Sequence, residues 1–167
     1  MQDNKKERLT IRAAKSALSF ALPDIDSNTQ IDYYQYVTKS GVSLAANLRE
    51  AFKTVDLLQQ APPKAKVLID SQSLIVPLEE YDADENEALY KHAFPYTEGA
   101  VICSNVMADI NAVVLFALNK DLKLVVEDHF QDVSYVCLMR PVWDYLHHRS
   151  FIGNRRKSLI VVIATVV

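Results

Sequence analysis

Apolar residues alternate with polar or small ones from the start of the chain. Leu9-Thr10-Ile11-Arg12 and Leu18-Ser19-Phe20-Ala21-Leu22 both carry the period of two that marks half-buried strands. Only Ala13-Ala14-Lys15-Ser16-Ala17 separates them, so an antiparallel hairpin is expected. Pro23-Asp24 ends the second strand, and a polar loop runs to Gln30. Ile31 to Thr38 alternates again, with Tyr34 and Tyr36 on one face and Tyr33, Gln35 and Val37 on the other. The period then changes. Ser43 is the expected N-cap of a helix reaching about Gln60, with Leu44, Leu48, Ala51, Phe52, Val55 and Leu58 as its apolar stripe. Pro62-Pro63 stops it.

The stretch Lys64 to Glu80 follows, and the rest of the chain is laid around it. Its apolar runs, Val67-Leu68-Ile69 and Leu74-Ile75-Val76, predict a pair of strands flanking the polar step Asp70-Ser71-Gln72-Ser73. Val67, Ile69, Ile75 and Leu48 are expected to share one core. Asp84 to Glu87 has capping-box spacing before a short helix that Pro95 closes. Val101 to Val106 and Asn111 to Leu118 predict a second hairpin that bends at Ala108-Asp109-Ile110. Leu122, Val125, Val126 and Phe130 favour a helix, although Leu122 to Val126 also alternates as a strand would. Val133 to Leu138 reads as a short buried strand. A helix begins at Arg140-Pro141, with Val142, Tyr145 and Leu146 as its stripe and Trp143 extending it. Leu159 to Val167 is a last strand-like run. Three opening antiparallel strands followed by helix-strand alternation predict a mixed α/β layout with helices covering the sheet.

Composition narrows the function classes. A chain of 167 residues, half hydrophobic and 23% charged, has the profile of one globular domain. A net charge of −3 supplies no field to attract nucleic acid or an acidic membrane. Cys103 and Cys137 are far apart and form no CxxC, as expected of reduced core thiols in a cytoplasmic protein. The charged N-terminus lacks a signal-peptide apolar run. Leu159 to Val167 is too short to span a bilayer.

Few residues suggest chemistry. The acids from Glu79 to Glu87 lack EF-hand spacing and its central glycine, so they read as a solvated loop and helix start. Asp70 ends a strand, where α/β proteins place ligand-facing carboxylates, but it also suits a turn that caps Gln72 or Ser73. His147 and His148 are helical neighbours and do not converge, which leaves Asp144 and His148 as a surface i,i+4 pair. Ser16 and Ser71 have no nucleophile-elbow context. Arg149, Arg155, Arg156 and Lys157 form a small basic patch without interleaved aromatics, and Tyr33, Tyr34 and Tyr36 read as sheet faces. No catalytic residue, metal ligand or cofactor is called for.

LTIRAAKSALSFAL, IDYYQYV and VLIDSQSLIVP, with Asn111 to Ala117 and Pro141-Val142-Trp143, resemble one half of the actin-like ATPase (ribonuclease-H-like) fold. More narrowly, the chain looks like a bacterial family with that fold and no assigned activity. The resemblance covers about residues 8 to 150. It implies an actin-like first half over residues 1–150, with 151–167 as the first strand of a truncated second half. Actin-like ATPases hold nucleotide phosphates with an Asp and a Gly-containing turn between their first two strands. Here that turn, Ala13 to Ala17, has neither, and without glycine the backbone closes poorly around a phosphate. The expectation is therefore a non-catalytic binding or assembly module, with an unknown protein partner or self-association through Leu159 to Val167. The alternative is a nucleotide-dependent ATPase or phosphotransferase whose second half is missing, with Lys15, Ser16 and Asp70 lining the nucleotide cleft.

Overall fold

The computed structural model describes residues 8–23 and 30–152, with side chains through His147. The loop after Pro23, His148, Arg149, the Arg155-Arg156-Lys157 turn and the Leu159 to Val167 run lie outside the described residues or side chains.

Strands β1 (Leu9–Ala14) and β2 (Ala17–Pro23) form the expected hairpin, and β3 (Ile31–Tyr36) pairs antiparallel on the far side of β2. Strand β4 (Lys64–Ile69) pairs parallel with β1, and β8 (Asp132–Cys137) parallel with β4. The result is a five-stranded mixed sheet in the order β3-β2-β1-β4-β8. Alternation fixes which side chains enter the core. Leu9, Ile11 and Ala13 of β1 are buried, in register with Ala65, Val67 and Ile69 of β4.

Helix α1 (Leu44–Thr54) buries Ala45, Leu48 and Ala51 in that core, and Ser43 caps it by accepting from the Ala46 N–H. The expected helix to Gln60 is interrupted. Val55 adopts an extended backbone, buried beside Leu58, and a four-residue helix α2 (Asp56–Gln59) follows. Helix α4 (Lys120–His129) packs beside α1 through Leu122, Val125 and Val126, capped by Asn119 on the Leu122 N–H.

The predicted strand pair separates. Strand β5 (Ser73–Pro77) leaves β4 and joins β7 (Ala112–Asn119) and β6 (Ala100–Met107) in an antiparallel three-stranded sheet ordered β5-β7-β6. Strand β7 is central and buried on both faces. Val114, Phe116 and Leu118 enter the main core, while Val113 and Leu115 pack with Val76 and Tyr90 of α3 (Asn86–Ala93). Ile75 sits on an edge strand and is 51% exposed, so it falls outside the core that Val67, Ile69 and Leu48 share. The capping box also fails to form. Asp82 caps a preceding 3-10 turn through the Asp84 N–H, and no side chain caps α3. Helix α5 (Met139–Ile152) leans on the core through Met139 and Trp143, whereas Tyr145 of the predicted stripe is 58% exposed.

A polar side chain of the three-stranded sheet reaches the backbone of the five-stranded one. Asn105 of β6 accepts from the Cys137 N–H (2.8 Å) and donates to the Tyr135 carbonyl (3.1 Å). Its carboxamide thus satisfies backbone groups on the outer edge of β8, as a neighbouring strand would.

Candidate functional site

Parallel strands β1, β4 and β8 end side by side, and the chain reverses just beyond each. The Asp70 N–H donates to the Ala13 carbonyl and the Leu138 N–H to the Ile69 carbonyl, both at 2.9 Å, so the ladders continue past the strand ends. Open α/β sheets bind ligands outside these carboxyl ends. A cleft of about 490 Å³ lies there, lined by Lys15, Asp70, Ser71, Gln72, Cys137 and Met139 among others. A second, of about 320 Å³, lies beside it between the β1–β2 turn and the loop before α1, with Lys15, Ser16, Thr38 and Lys39 in its wall. Lys15 borders both clefts.

The three residues singled out from the sequence are thus brought to one end of the sheet, but they do not share one cleft. Lys15 and Asp70 line the larger one; Lys15 and Ser16 line the smaller. Asp70 does not cap its turn. Its carboxylate accepts from the Arg12 guanidinium at 3.2 Å, while the Ser73 hydroxyl bonds the Ser71 carbonyl. The Arg12 side chain is 47% exposed, so this pair sits at the weak end of ionic interactions.

The turn between β1 and β2 is tighter than expected. Ala13, Ala14 and Ala17 belong to the strands, leaving Lys15-Ser16 as a two-residue connection closed by the Ala14–Ala17 pair. Neither turn residue has a positive φ; among described non-glycine residues only Asn111 does. Anion-binding nests combine a right-handed with a left-handed residue so that successive N–H groups converge, and this turn has no left-handed one. The Thr38 hydroxyl donates to the Ser16 carbonyl at 2.6 Å, tying the turn to the strand-to-helix loop.

Three residues that hold this region escape sequence reasoning. Asn47 is 1% exposed on α1; its Oδ1 accepts from the Lys39 N–H, and its Nδ2 donates to the Val42 and Ser43 carbonyls. Gly41, at φ 75°, supplies the left-handed backbone that turns this loop back onto the helix. Tyr90, 1% exposed, donates its hydroxyl to the Gln72 carbonyl at 2.7 Å, anchoring the larger cleft's rim from α3. The signal for Asn47 and Tyr90 is a polar atom at a position that helical periodicity assigns to the core. The Ser73 hydroxyl and the Cys137 thiol lie 3.2 Å apart in the same rim.

Other candidate groups stay apart. Among the described residues, no three His, Cys, Asp or Glu side chains gather as metal ligands. The acids from Glu79 onward spread over two 3-10 turns and the start of α3, where Glu87 pairs with Lys91. His147 lies 3.4 Å from Asp109 at the β6–β7 bend. Cys103 and Cys137 are both free thiols, and burial pushes the Cys103 thiol up. Among the described residues, no helix is long and apolar enough to cross a membrane.

The architecture matches a crystal structure from Bacteroides thetaiotaomicron, described as a protein with actin-like ATPase fold and unknown function. The TM-score is 0.79 at 22% identity, over 92% of this chain and 62% of that one. The chain therefore has the actin-like ATPase fold, and it spans less than two thirds of that protein's length. Another structure, the cytoplasmic domain of Epsl, an inner membrane component of the type II secretion system of Vibrio cholerae, aligns at a TM-score of 0.43. Its identity is 16%, over 79% of this chain and 57% of that one, a likeness too slight to support an argument. No curated protein sequence matches the chain. Residues 1–165 match the family described as protein of unknown function (DUF3822), and the chain belongs to that family.

Proposed function

We propose that the chain is a binding or assembly module on an actin-like half-fold that does not turn over nucleotide. Residues 1–150 are the first half, and 151–167 begin the second. The observation that carries this reading is the Lys15-Ser16 turn. It sits where the fold places its phosphate-gripping turn, yet it has two residues, no glycine and no left-handed backbone. Two polar side chains of the adjoining cleft are also engaged, Asp70 by the Arg12 guanidinium and Ser73 by the Ser71 carbonyl. We place the protein in the cytoplasm, where its two free thiols match a reducing environment.

The second reading, a nucleotide-dependent ATPase or phosphotransferase, draws on one observation: Lys15 and Asp70 line the same cleft, which has the volume of a small-molecule site. Titration calorimetry of the 167-residue chain with ATP and magnesium separates the two. The module reading expects no saturable heat, and a dissociation constant in the low micromolar range overturns it.

A further inference from the structure

Asn105 occupies the outer edge of β8, whereas the far side of β3 has no strand beside it among the described residues. Natural edges are commonly blunted by proline, lysine or a bulge. Ile31–Tyr36 contains neither proline nor lysine, and it pairs with β2 residue for residue, without a bulge. The ladder decides which of its backbone groups are open. The two-residue turn makes Ala14–Ala17 a hydrogen-bonded pair, so antiparallel alternation directs Leu18, Phe20 and Leu22 at Tyr36, Tyr34 and Asp32. Ile31, Tyr33 and Gln35 therefore present their N–H and C=O groups outward.

The two faces of β3 differ in chemistry. Asp32, Tyr34 and Tyr36 share the face of Leu18 and Phe20, which enter the main core with α1. Ile31 and Tyr33 lie on the other face and are 66% and 63% exposed. On the first face, a cleft of about 330 Å³ runs between β3 and α2. Asp32, Asp56, Tyr34 and Leu57 line it, and no basic residue does. Neither carboxylate has an ion-pair partner among the described residues. The open edge thus combines an apolar strip on one side with two unpaired carboxylates and a tyrosine on the other.

We propose that β3 takes up, as an added antiparallel strand, an extended segment of a partner protein in which arginine alternates with β-branched apolar residues. Main-chain hydrogen bonds to an edge strand supply affinity, and alternate side chains supply specificity. Directly opposed residues share a face, so the segment's apolar residues cover Ile31 and Tyr33 while its arginines reach the Asp32–Asp56 cleft. Arginine is preferred to lysine because its planar fork matches a carboxylate and stacks on a tyrosine ring. A second copy of β3 fits less well. Its single charged residue is Asp32, so it adds negative charge to the cleft instead of neutralising it. The inference gives the module reading a partner but uses no atom of the Lys15–Asp70 cleft. ATP binding there overturns the proposed function and leaves the edge standing, and failure at the edge leaves the Lys15-Ser16 turn untouched.

Amide NMR of the full chain tests it with a capped peptide of alternating valine and arginine, six residues long like β3. Saturable shifts are expected at Ile31, Tyr33 and Gln35 and around Asp56 and Leu57. A peptide with glutamate in place of arginine is expected not to bind. Asp32→Asn combined with Asp56→Asn should weaken the arginine peptide about fivefold. Gln35→Pro removes an outward N–H without touching the β2 ladder, and should weaken it about tenfold. Circular dichroism verifies folding. If Gln35→Pro unfolds, a peptide N-methylated at its valines, which exchange hydrogen bonds with the edge, makes the same test on the unaltered protein. No saturable shift up to about 5 mM peptide overturns the proposal. So does equal binding of the glutamate peptide, or undiminished binding of the N-methylated one. A dimer in sedimentation velocity that Gln35→Pro dissolves also overturns it, since a second copy would then hold the edge.

Discussion

Replacing Asn105 with alanine removes the side chain that, among the described residues, hydrogen-bonds the three-stranded sheet to the backbone of β8. Two hydrogen bonds are lost, at 2.8 and 3.1 Å, each worth a net ~0.5–1.5 kcal/mol. The partners left behind are backbone groups of buried Cys137 and half-buried Tyr135, and an orphaned buried group costs about 1–3 kcal/mol. These contributions overlap, so Asn105→Ala is expected to destabilise the protein by about 2–3 kcal/mol. Urea unfolding followed by fluorescence of Trp143, the chain's single tryptophan, measures this directly. Asn105→Asp sharpens the test. It keeps the acceptor for the Cys137 N–H but sets a carboxylate against the Tyr135 carbonyl, which favours the protonated acid in the folded state. The penalty of Asn105→Asp should therefore shrink as pH falls through the carboxylate range. A loss below about 0.5 kcal/mol for Asn105→Ala, the scale of an ordinary surface change, would refute the bridging role.

Ile69→Ala, at 5% exposure in the main core, should cost roughly 2–5 kcal/mol. Ile75→Ala, half exposed on β5, should cost well under half as much, and equal losses in the same assay would contradict the two-sheet partition. The His129 ring stacks on Phe52 with centroids 3.9 Å apart, and burial holds its pKa below the ordinary 6.5. The unfolded ring therefore takes its proton at higher pH than the folded one, and its contribution is lost as pH falls from above 6.5 toward the folded pKa. Stability of His129→Gln should decline less steeply across that window than that of the parent chain; matching slopes would discount the stack.

Elements with one clean period were legible. Strand β1 alternates without interruption, while β2 buries Leu18, Ser19 and Phe20 in a row and β3 is largely exposed. The segment α4 resolved as a helix because Leu122, Val125 and Val126 fall on one face. The pairing of β4 and β5 was not legible. Leu74-Ile75-Val76 is apolar at every position, so nothing in it says which side chain faces out or which sheet it joins. The break at Val55 leaves the apolar stripe in step on both sides, and only the backbone reveals it. Asp84 to Glu87 met the capping-box spacing, but Asp82 offered the chain a competing turn. At the candidate site, the sequence puts Lys15, Ser16 and Asp70 in one cleft under the nucleotide reading, whereas Lys15 and Asp70 line one cleft and Lys15 and Ser16 another. The Arg12–Asp70 pair and the anchoring by Tyr90 and Asn105 were not legible, because their partners lie 58, 18 and 30 residues away. Asn47 was missed because its carboxamide bonds the backbone of the neighbouring loop, which helical periodicity does not show.

The central proposal is that this chain, on its actin-like fold, does not grip phosphate between its first two strands. Amide NMR of the chain titrated with ATP and magnesium examines those atoms individually. The account predicts that the amide resonances of Lys15, Ser16, Asp70 and Ser71 do not move in a saturable way. Saturable shifts confined to those four amides would contradict it and restore the nucleotide-binding reading.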